Sequence, residues 1–336
     1  MRVYEIQPGI QGLDGLHLAE RPDPRPGAGQ ILVRMRAASL NYRDQLILNG
    51  GYFGGPLTQP TIPLSDGAGE VIGLGAGVTR FKVGDRVAGT FFRGWIDGPP
   101  RGVYVALGSP VDGVLAEYAT FDEQDAVRIP DSLSFEEAAT LPCAGVTAWH
   151  ALVVTCGVKP GDSVLVLGSG GVSMFALQFA RLAGAHVFMT SSSDAKLERG
   201  RALGAAEVIN YRATPEWGQE VLKRTGGRGV DYVIEVGGSG TLARSMQAVA
   251  YAGKIALIGI LAGFQGDTNP HPLMRKAASL HGVFVGNRVM FEAMNAAIDA
   301  NALKPVVDQV FAFQDAPAAF RCLQGAAHVG KIVIRI

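Results

Sequence analysis

The spacing of hydrophobic positions changes character once along the chain. Up to about residue 126, short apolar runs alternate with turns: QILVRMRAASL, GAGEVIGLGAG, FKVGDRVAGTF and GVLAEYATF are broken by RPDPRPGAG and the Pro/Gly-rich GPPRG. Strands at that spacing predict a barrel-like β domain. Further on the period lengthens, with Ser134 and Glu137 forming a capping box ahead of FEEAATL and a second helix expected over residues 145–154. After the turn Lys159-Pro160-Gly161-Asp162 come six apolar runs, SVLVLG (163–168), HVFMT (186–190), EVIN (207–210), VDYVIEV (230–236), KIALIGI (254–260) and LHGVFVG (280–286), with helical stretches between most of them. Such runs read as parallel strands covered on both faces by crossover helices. The clearest helix starts at Val172, where Val172, Phe175, Ala176, Phe179, Ala180 and Ala183 make one stripe turned to the sheet. A tail from about residue 288 holds the helix FEAMNAAIDA and a last strand, KIVIRI, placed to rejoin the first domain. The expected class is α/β, with a β-rich domain from residues 1–126 and 288–336 and a doubly wound parallel sheet over 127–287.

Composition narrows the function classes. A chain of 336 residues exceeds one ordinary core, so two domains are expected. Thirty Lys plus Arg balance thirty Asp plus Glu, and charged residues are only 18%, so no global field exists to hold nucleic acid or an anionic membrane. Cys143, Cys156 and Cys322 are too scattered for a disulfide scaffold or metal-ligand spacing, which fits a reducing cytosol. The start, MRVYEIQPG, lacks the apolar run of a signal peptide. Residues 163–180 carry no charge, but Gly168, Gly170 and Gly171 interrupt them and Ser163, Ser169 and Ser173 dilute them, so they read as strand and helix instead of a membrane span. A cytoplasmic protein is the expectation.

The segment VLVLGSGGVS places Gly168, Ser169, Gly170, Gly171 and Val172 between the first strand of the βα series and its helix. Bare backbone there admits a dinucleotide pyrophosphate, whose charge the helix N-terminus offsets. Ser173 stands where the usual pattern has its third glycine. At the end of the second strand an NAD site carries a carboxylate on the ribose. This chain has Ser191, Ser192 and Ser193 there, with Lys196 one helical turn on. A carboxylate ~4 Å from a 2′-phosphate costs about 4 kcal/mol per unit charge at an effective dielectric near 20, so its absence favours NADPH over NADH. The same serines also read as a helix cap, and Tyr211 either flanks the adenosine phosphate or covers the sheet edge.

These residues resemble the medium-chain dehydrogenase/reductase superfamily, and within it the zinc-free quinone oxidoreductase-like branch. SLNYRDQLILNGGY, IPLSDGAGEVIGLGAGVTRFKVGDRV, LPCAGVTAW, GSGGVSMFALQFARLAGA, GVDYVIEVGG and GKIVI look like its motifs in order. The resemblance implies a GroES-like catalytic domain at both chain ends, a Rossmann domain between them and a cleft at their junction. Zinc members carry a ligand Cys where this chain has Asn41, and Gly-His-Glu where it has Leu64-Ser65-Asp66; only Cys143 matches a ligand position. One thiolate cannot supply three protein ligands, so no zinc is expected. Residues 89–113, a four-Cys lobe in zinc members, hold Phe91, Phe92, Trp95 and Tyr104 and no cysteine, which hints at a flat or apolar substrate.

Without a metal, reduction of a quinone or a conjugated C=C is the accessible chemistry, because neutral donors suffice to stabilise the charge that hydride transfer sends to a distant oxygen. By resemblance, Tyr52 takes the place of a proton-donating tyrosine, and Asn41 lies near the nicotinamide and the substrate oxygen. Thr147 falls beside the nicotinamide ribose, Val236, Gly237, Gly259 and Ile260 at strand ends facing the cofactor, Val285 and Asn287 by the carboxamide, and Lys331 at the pyrophosphate. Asp44 is read as a structural partner for Arg43 or a nearby cation, and Tyr42 as packing under its loop. His17, His150, His186, His271, His281 and His328 match no catalytic motif. The edge run 280–286 implies a homodimer. Three alternatives remain open: an enoyl-thioester reductase with a basic trough from Arg43, Arg80, Arg93 and Arg101, a zinc-type alcohol dehydrogenase homologue, and a non-catalytic NADPH-binding protein.

Overall fold

Six parallel strands, Ser163–Leu167, His186–Ser191, Glu207–Asn210, Val230–Glu235, Val249–Leu257 and Ser279–Gly282, form the sheet that the apolar runs predict. Taken in chain order they lie 3-2-1-4-5-6 across the sheet, with a topological switch point between the first and fourth. The first strand is buried at every position because helices cover both faces. Helix Gly171–Leu182 turns Phe175, Ala176, Phe179 and Ala180 to the sheet, and Met174 and Leu177 are buried as well, so its apolar face is wider than the stripe. The computed structural model describes residues 1–52, 55–263, 265–266 and 269–336.

This sheet belongs to one of two compact units, Thr147–Val285; the other is Met1–Val146 with Gly286–Ile336. The first division falls later than the change of hydrophobic period at 126. Strand Ala126–Arg128 pairs with Arg86–Gly89, and the Arg86 guanidinium bonds the Leu133 carbonyl, which keep that stretch with the β-rich unit. The expected helix over 145–154 is part of a longer helical run, π-wound over Leu141–Gly145 and His150–Cys156 around one α turn.

In the β-rich unit, strand Gln30–Ser39 is central. It pairs antiparallel with Asp66–Leu74, with Tyr118–Asp122 and with the last strand, Lys331–Arg335, as expected for a tail that rejoins the first domain. Ile31, Val33, Met35, Val71, Val87, Leu115 and Phe320 fill the core beneath it. Burying each such side chain contributes roughly 1.5–3 kcal/mol. Among the described residues no helix is long and apolar enough to cross a membrane.

The register between Gln30–Ser39 and Asp66–Leu74 slips between Met35 and Ala37, a bulge opposite Gly69. The glycine is required, because a Cβ at Gly69 would sit 2.2 Å from the Arg34 carbonyl oxygen and 2.7 Å from Val33 Cγ1. Gly69→Ala is therefore expected to lower stability by roughly 3 kcal/mol in chemical denaturation, since backbone oxygen cannot give way. Gly73→Ala in the same strand meets Leu32 only at 3.4 Å and should cost less than about 1 kcal/mol. Equal losses at the two positions would refute the bulge argument.

Candidate functional site

Each unit carries a cluster of the expected site residues. In the parallel-sheet unit the turn after the first strand is open. Gly168 adopts a left-handed φ of 75°, and a Cβ on either Gly168 or Gly170 would meet nothing within 4 Å. Gly170 is the N-cap of the helix and has no side chain to cover the N–H groups that follow. Ser169 is buried and Val172 partly so. Ser173, at the third-glycine position, is accommodated by turning inward, its hydroxyl donating to the Leu167 carbonyl at 2.6 Å. Bare N–H groups at a helix start suit a pyrophosphate.

Ser191 ends the second strand and is buried; its carbonyl accepts from the Tyr211 N–H at 3.0 Å, which brings Tyr211, 40% exposed, beside the second strand's end. Ser193 is the N-cap of helix Asp194–Ala202 but makes no side-chain cap bond, and Ser192 and Lys196 are partly exposed. Asp194 does not stand in for the ribose-binding acid, because its carboxylate accepts from Asn210 Nδ2 at 2.7 Å. A helix start with hydroxyls and an ammonium suits a phosphate better than a diol.

One organising group escaped the sequence reading. Glu235, fully buried at the end of the fourth strand, accepts from the N–H groups of Gly237 and Gly238 at 2.7 and 3.0 Å and from the Thr241 hydroxyl at 2.6 Å, and Ser245 donates to its other oxygen. Those donors meet the cost of burying the carboxylate and fix the turn that holds Val236 and Gly237. Its only signal was an acid closing an apolar strand before Gly-Gly. Gly259 lies so close to this turn that a Cβ would be 2.5 Å from the Val236 carbonyl, and Ile260 follows it, partly exposed. Thr147 is buried at the start of the unit. At the other end, Val285 adopts a φ of 54°, unusual for a β-branched residue, and its carbonyl bonds His150 Nδ1 at 2.7 Å. Burial lowers the His150 pKa, which favours the neutral ring.

In the β-rich unit the cluster forms around an internal ammonium. Lys331, 3% exposed, donates to the Leu40 carbonyl and to Asn41 Oδ1, the latter at 2.5 Å. Its charge is thus directed into the unit's interior and not outward toward a pyrophosphate. Two carboxyls are fully buried with it. Asp44 accepts the Asn41 N–H at 2.7 Å, closing the first turn of helix Tyr42–Leu48. Burial pushes its pKa up to about 6, against the opposing pull of Arg43 and Lys331. Asp66 accepts from the Ser65 hydroxyl at 2.7 Å and the Cys143 N–H at 2.9 Å, and burial raises its pKa also. Asn41 Nδ2 has no hydrogen-bond partner of normal geometry, although it lies near enough to Asp66 to draw that carboxyl's pKa down.

Tyr52 is partly buried, and desolvation raises its pKa, against the lowering effect of Arg43. Asp44 feels the charge of both Arg43 and Lys331, but the Arg43 guanidinium gives its hydrogen bonds to the carbonyls of Leu107 and Ser109 at 2.8 and 3.4 Å. Tyr42 is 42% exposed instead of packing under the loop. Asn287 is spent structurally, since its Oδ1 caps the next helix through the Met290 N–H and its Nδ2 donates to the Gly98 carbonyl. Trp95 and Tyr104 stack at 5.5 Å, and Phe91, Phe92 and Trp95 are buried, so most of the expected aromatic surface is used within the protein. Two of the four arginines expected in a basic trough are engaged inside the protein, Arg43 by burial and Arg80 by the Glu123 and Ala126 carbonyls and Glu292, while Arg93 and Arg101 are exposed.

The positions that would hold a catalytic zinc do not suit one. Asn41 turns its oxygen to an ammonium, Ser65 gives its hydroxyl to Asp66, and burial pushes the Cys143 thiol far up, favouring the protonated form. A dication there would face Lys331 with no thiolate to hold it. Among the described residues no group of three His, Cys, Asp or Glu is arranged to hold a metal.

Comparisons with known proteins agree on the family and divide on the substrate. Residues 27–131 match the model of the alcohol dehydrogenase GroES-like domain, and residues 171–300 that of the zinc-binding dehydrogenase. The chain is 45% identical to a zinc-type alcohol dehydrogenase-like protein of Schizosaccharomyces pombe over 99% of both chains. It is 29% identical to the quinone oxidoreductase of Homo sapiens, covering 93% of this chain and 90% of that one. A putative alcohol dehydrogenase from Sinorhizobium meliloti 1021 superposes with a TM-score of 0.92 at 43% identity, covering 99% of this chain and 98% of the other. With the strand order and glycine turn above, these likenesses establish that the chain is an oxidoreductase of the medium-chain dehydrogenase/reductase superfamily, whose members use nicotinamide cofactors.

Proposed function

We propose that this protein is an NADPH-dependent, metal-free reductase of the quinone oxidoreductase-like branch, acting on quinones or α,β-unsaturated carbonyl compounds. The observation that carries the reading is the state of Asn41. Lys331 holds the amide oxygen, which fixes which end is which, and leaves Nδ2, on a residue only 8% exposed, as a neutral donor beside Asp66 with no hydrogen bond of normal geometry. A carbonyl or quinone oxygen gaining negative charge needs such a donor.

When bound, the dinucleotide supplies the hydride. The turn at Gly168–Val172 suits its pyrophosphate, and Ser191, Ser192 and Lys196 suit a 2′-phosphate. Asn41 Nδ2 stabilises charge on the acceptor oxygen. Tyr52 holds a proton at Oη, and the raised pKa keeps it protonated at neutral pH, as a donor requires. The enoyl-thioester alternative draws no support from Arg43 and Arg80, which face inward, and the zinc alternative none from the donor set. The edge strand Ser279–Gly282, with Leu280 39% and Phe284 52% exposed, supports pairing of two copies.

The direct test is NADPH oxidation with a panel of quinones, enones and enals, with and without a chelator. Turnover that survives the chelator is expected; activity that disappears and returns with zinc would overturn the reading. Lys196→Ala is expected to weaken NADPH binding roughly 10-fold or more while changing NADH less than about 2-fold. Equal losses in a binding titration would make Lys196 a surface cation only. Tyr52→Phe should slow enone reduction by about 100-fold and leave the NADPH dissociation constant unchanged. Wild-type turnover in that variant would remove Tyr52 from the mechanism.

A further inference from the structure

Arg43 is a buried cation set between the Tyr52 ring and the 91–109 loop. Its guanidinium carbon stands 4.7 Å from the centre of the Tyr52 ring and 4.8 Å from that of Phe91. Nη1 and Nη2 reach the carbonyls of Leu107 and Ser109, while Nε is buried without a partner. The planar fork is thus held to the 91–109 loop through two of its nitrogens and lies over two aromatic rings, an arrangement that an ammonium cannot reproduce. Arg43 itself is only 6% exposed, so it acts on Tyr52 and not on anything that enters the site.

We propose that Arg43 is the positioning residue for the proton donor: it fixes the Tyr52 ring against the 91–109 loop and supplies the positive charge that faces the phenolate as the proton leaves. This rests on the reductase reading above. In that reaction NADPH is oxidised as its hydride adds to the β-carbon of the enone. The Tyr52 O–H bond breaks to deliver the proton to the α-carbon of the resulting enolate, and water restores the phenol. The phenolate exists only within that step, so a cation facing it lowers the barrier without strengthening substrate binding. Among the described residues, Arg43, Asp44 and Cys143 act on Tyr52 electrostatically. Arg43 favours the phenolate, whereas Asp44 from the same helix and Cys143 from the Leu141–Gly145 turn oppose it. Of these three groups, Arg43 favours proton release.

The test compares Arg43→Met, which removes charge and fork, with Arg43→Lys, which keeps the charge alone. Two readouts are followed: the alkaline limb of the kcat/KM profile for an enone, and the ultraviolet absorbance of the Tyr52 phenolate, isolated by subtracting the matching Tyr52→Phe protein. Arg43→Met should lower kcat roughly 10-fold or more, move both the limb and the absorbance midpoint to higher pH, and leave NADPH affinity unchanged. Arg43→Lys should restore the limb toward its wild-type pH but recover only part of kcat. A folded Arg43→Met protein with limb and midpoint unmoved overturns the proposal. Where Arg43→Met does not fold, Arg43→Lys decides, because full wild-type kcat without the stacked fork overturns the positioning role. The absorbance titration needs no turnover, so a protein inert toward every acceptor would sink the reductase reading while still showing whether Arg43 governs Tyr52.

Discussion

An ammonium group inside the β-rich unit is the contact on which its chemistry depends. Lys331 sits at the start of the last strand, and its hydrogen bonds reach back nearly the whole length of the chain to Leu40 and Asn41. Taking such a charge out of water costs several kcal/mol and is tolerated only with close partners. Here the partners are a backbone carbonyl, an amide oxygen and the fields of two buried carboxyls, Asp44 and Asp66. The same contact closes the sheet, orients the Asn41 amide and offsets two acids that burial would otherwise drive further toward their neutral forms. Without it the unit would retain two carboxyls in a dry interior with Arg43 as the nearest countercharge, turned away to the 107–109 carbonyls.

The parallel-sheet unit solves a related problem with backbone instead of a cation. Glu235 is buried as completely as Asp66, yet two N–H groups and two hydroxyls from the turn that follows it satisfy its oxygens. A carboxylate held this way acts as a template for the loop, because each donor must take a set position to reach it. The loop it shapes carries Val236 and Gly237, and the fifth strand's end packs against it through Gly259. Shape at the carboxyl ends of these strands is therefore set from within, by a residue that makes no use of solvent or ligand.

Much of the architecture was legible because periodicity records burial directly. The six apolar runs, the glycine turn and the returning strand KIVIRI all survive in the structure, since a strand covered on both faces admits little but apolar side chains. Boundaries were less legible. Residues 127–146 belong with the β-rich unit because of pairing to Arg86–Gly89, a long-range fact no local pattern contains. Least legible was the direction of charged side chains. Lys331, Arg43 and Glu235 look alike in sequence to solvent-facing residues, and only the fold shows that all three turn inward to carbonyls, rings or N–H groups. The aromatic residues of the 91–109 loop were visible as a group, but not that they would pack on one another.

On the reductase reading, Asn41 and Lys331 take over the charge stabilisation that a metal would supply near the Asn41 and Ser65 positions. A metal stabilises a developing oxyanion by direct coordination, which needs exchangeable ligands and deprotonated donors. On the reductase reading, Lys331 acts at one remove: by bonding Asn41 Oδ1 it draws electron density through the amide and makes Nδ2 a stronger donor, since linked hydrogen bonds polarise one another. Such a relay strengthens hydrogen bonding to a charged oxygen more than to a neutral one, which is the discrimination a hydride acceptor requires. It cannot ionise an alcohol, because a neutral amide has no capacity to take a proton. On the same reading, the chemistry it favours runs toward reduction of an unsaturated acceptor, with Tyr52 as the proposed proton source and Arg43 as its proposed support.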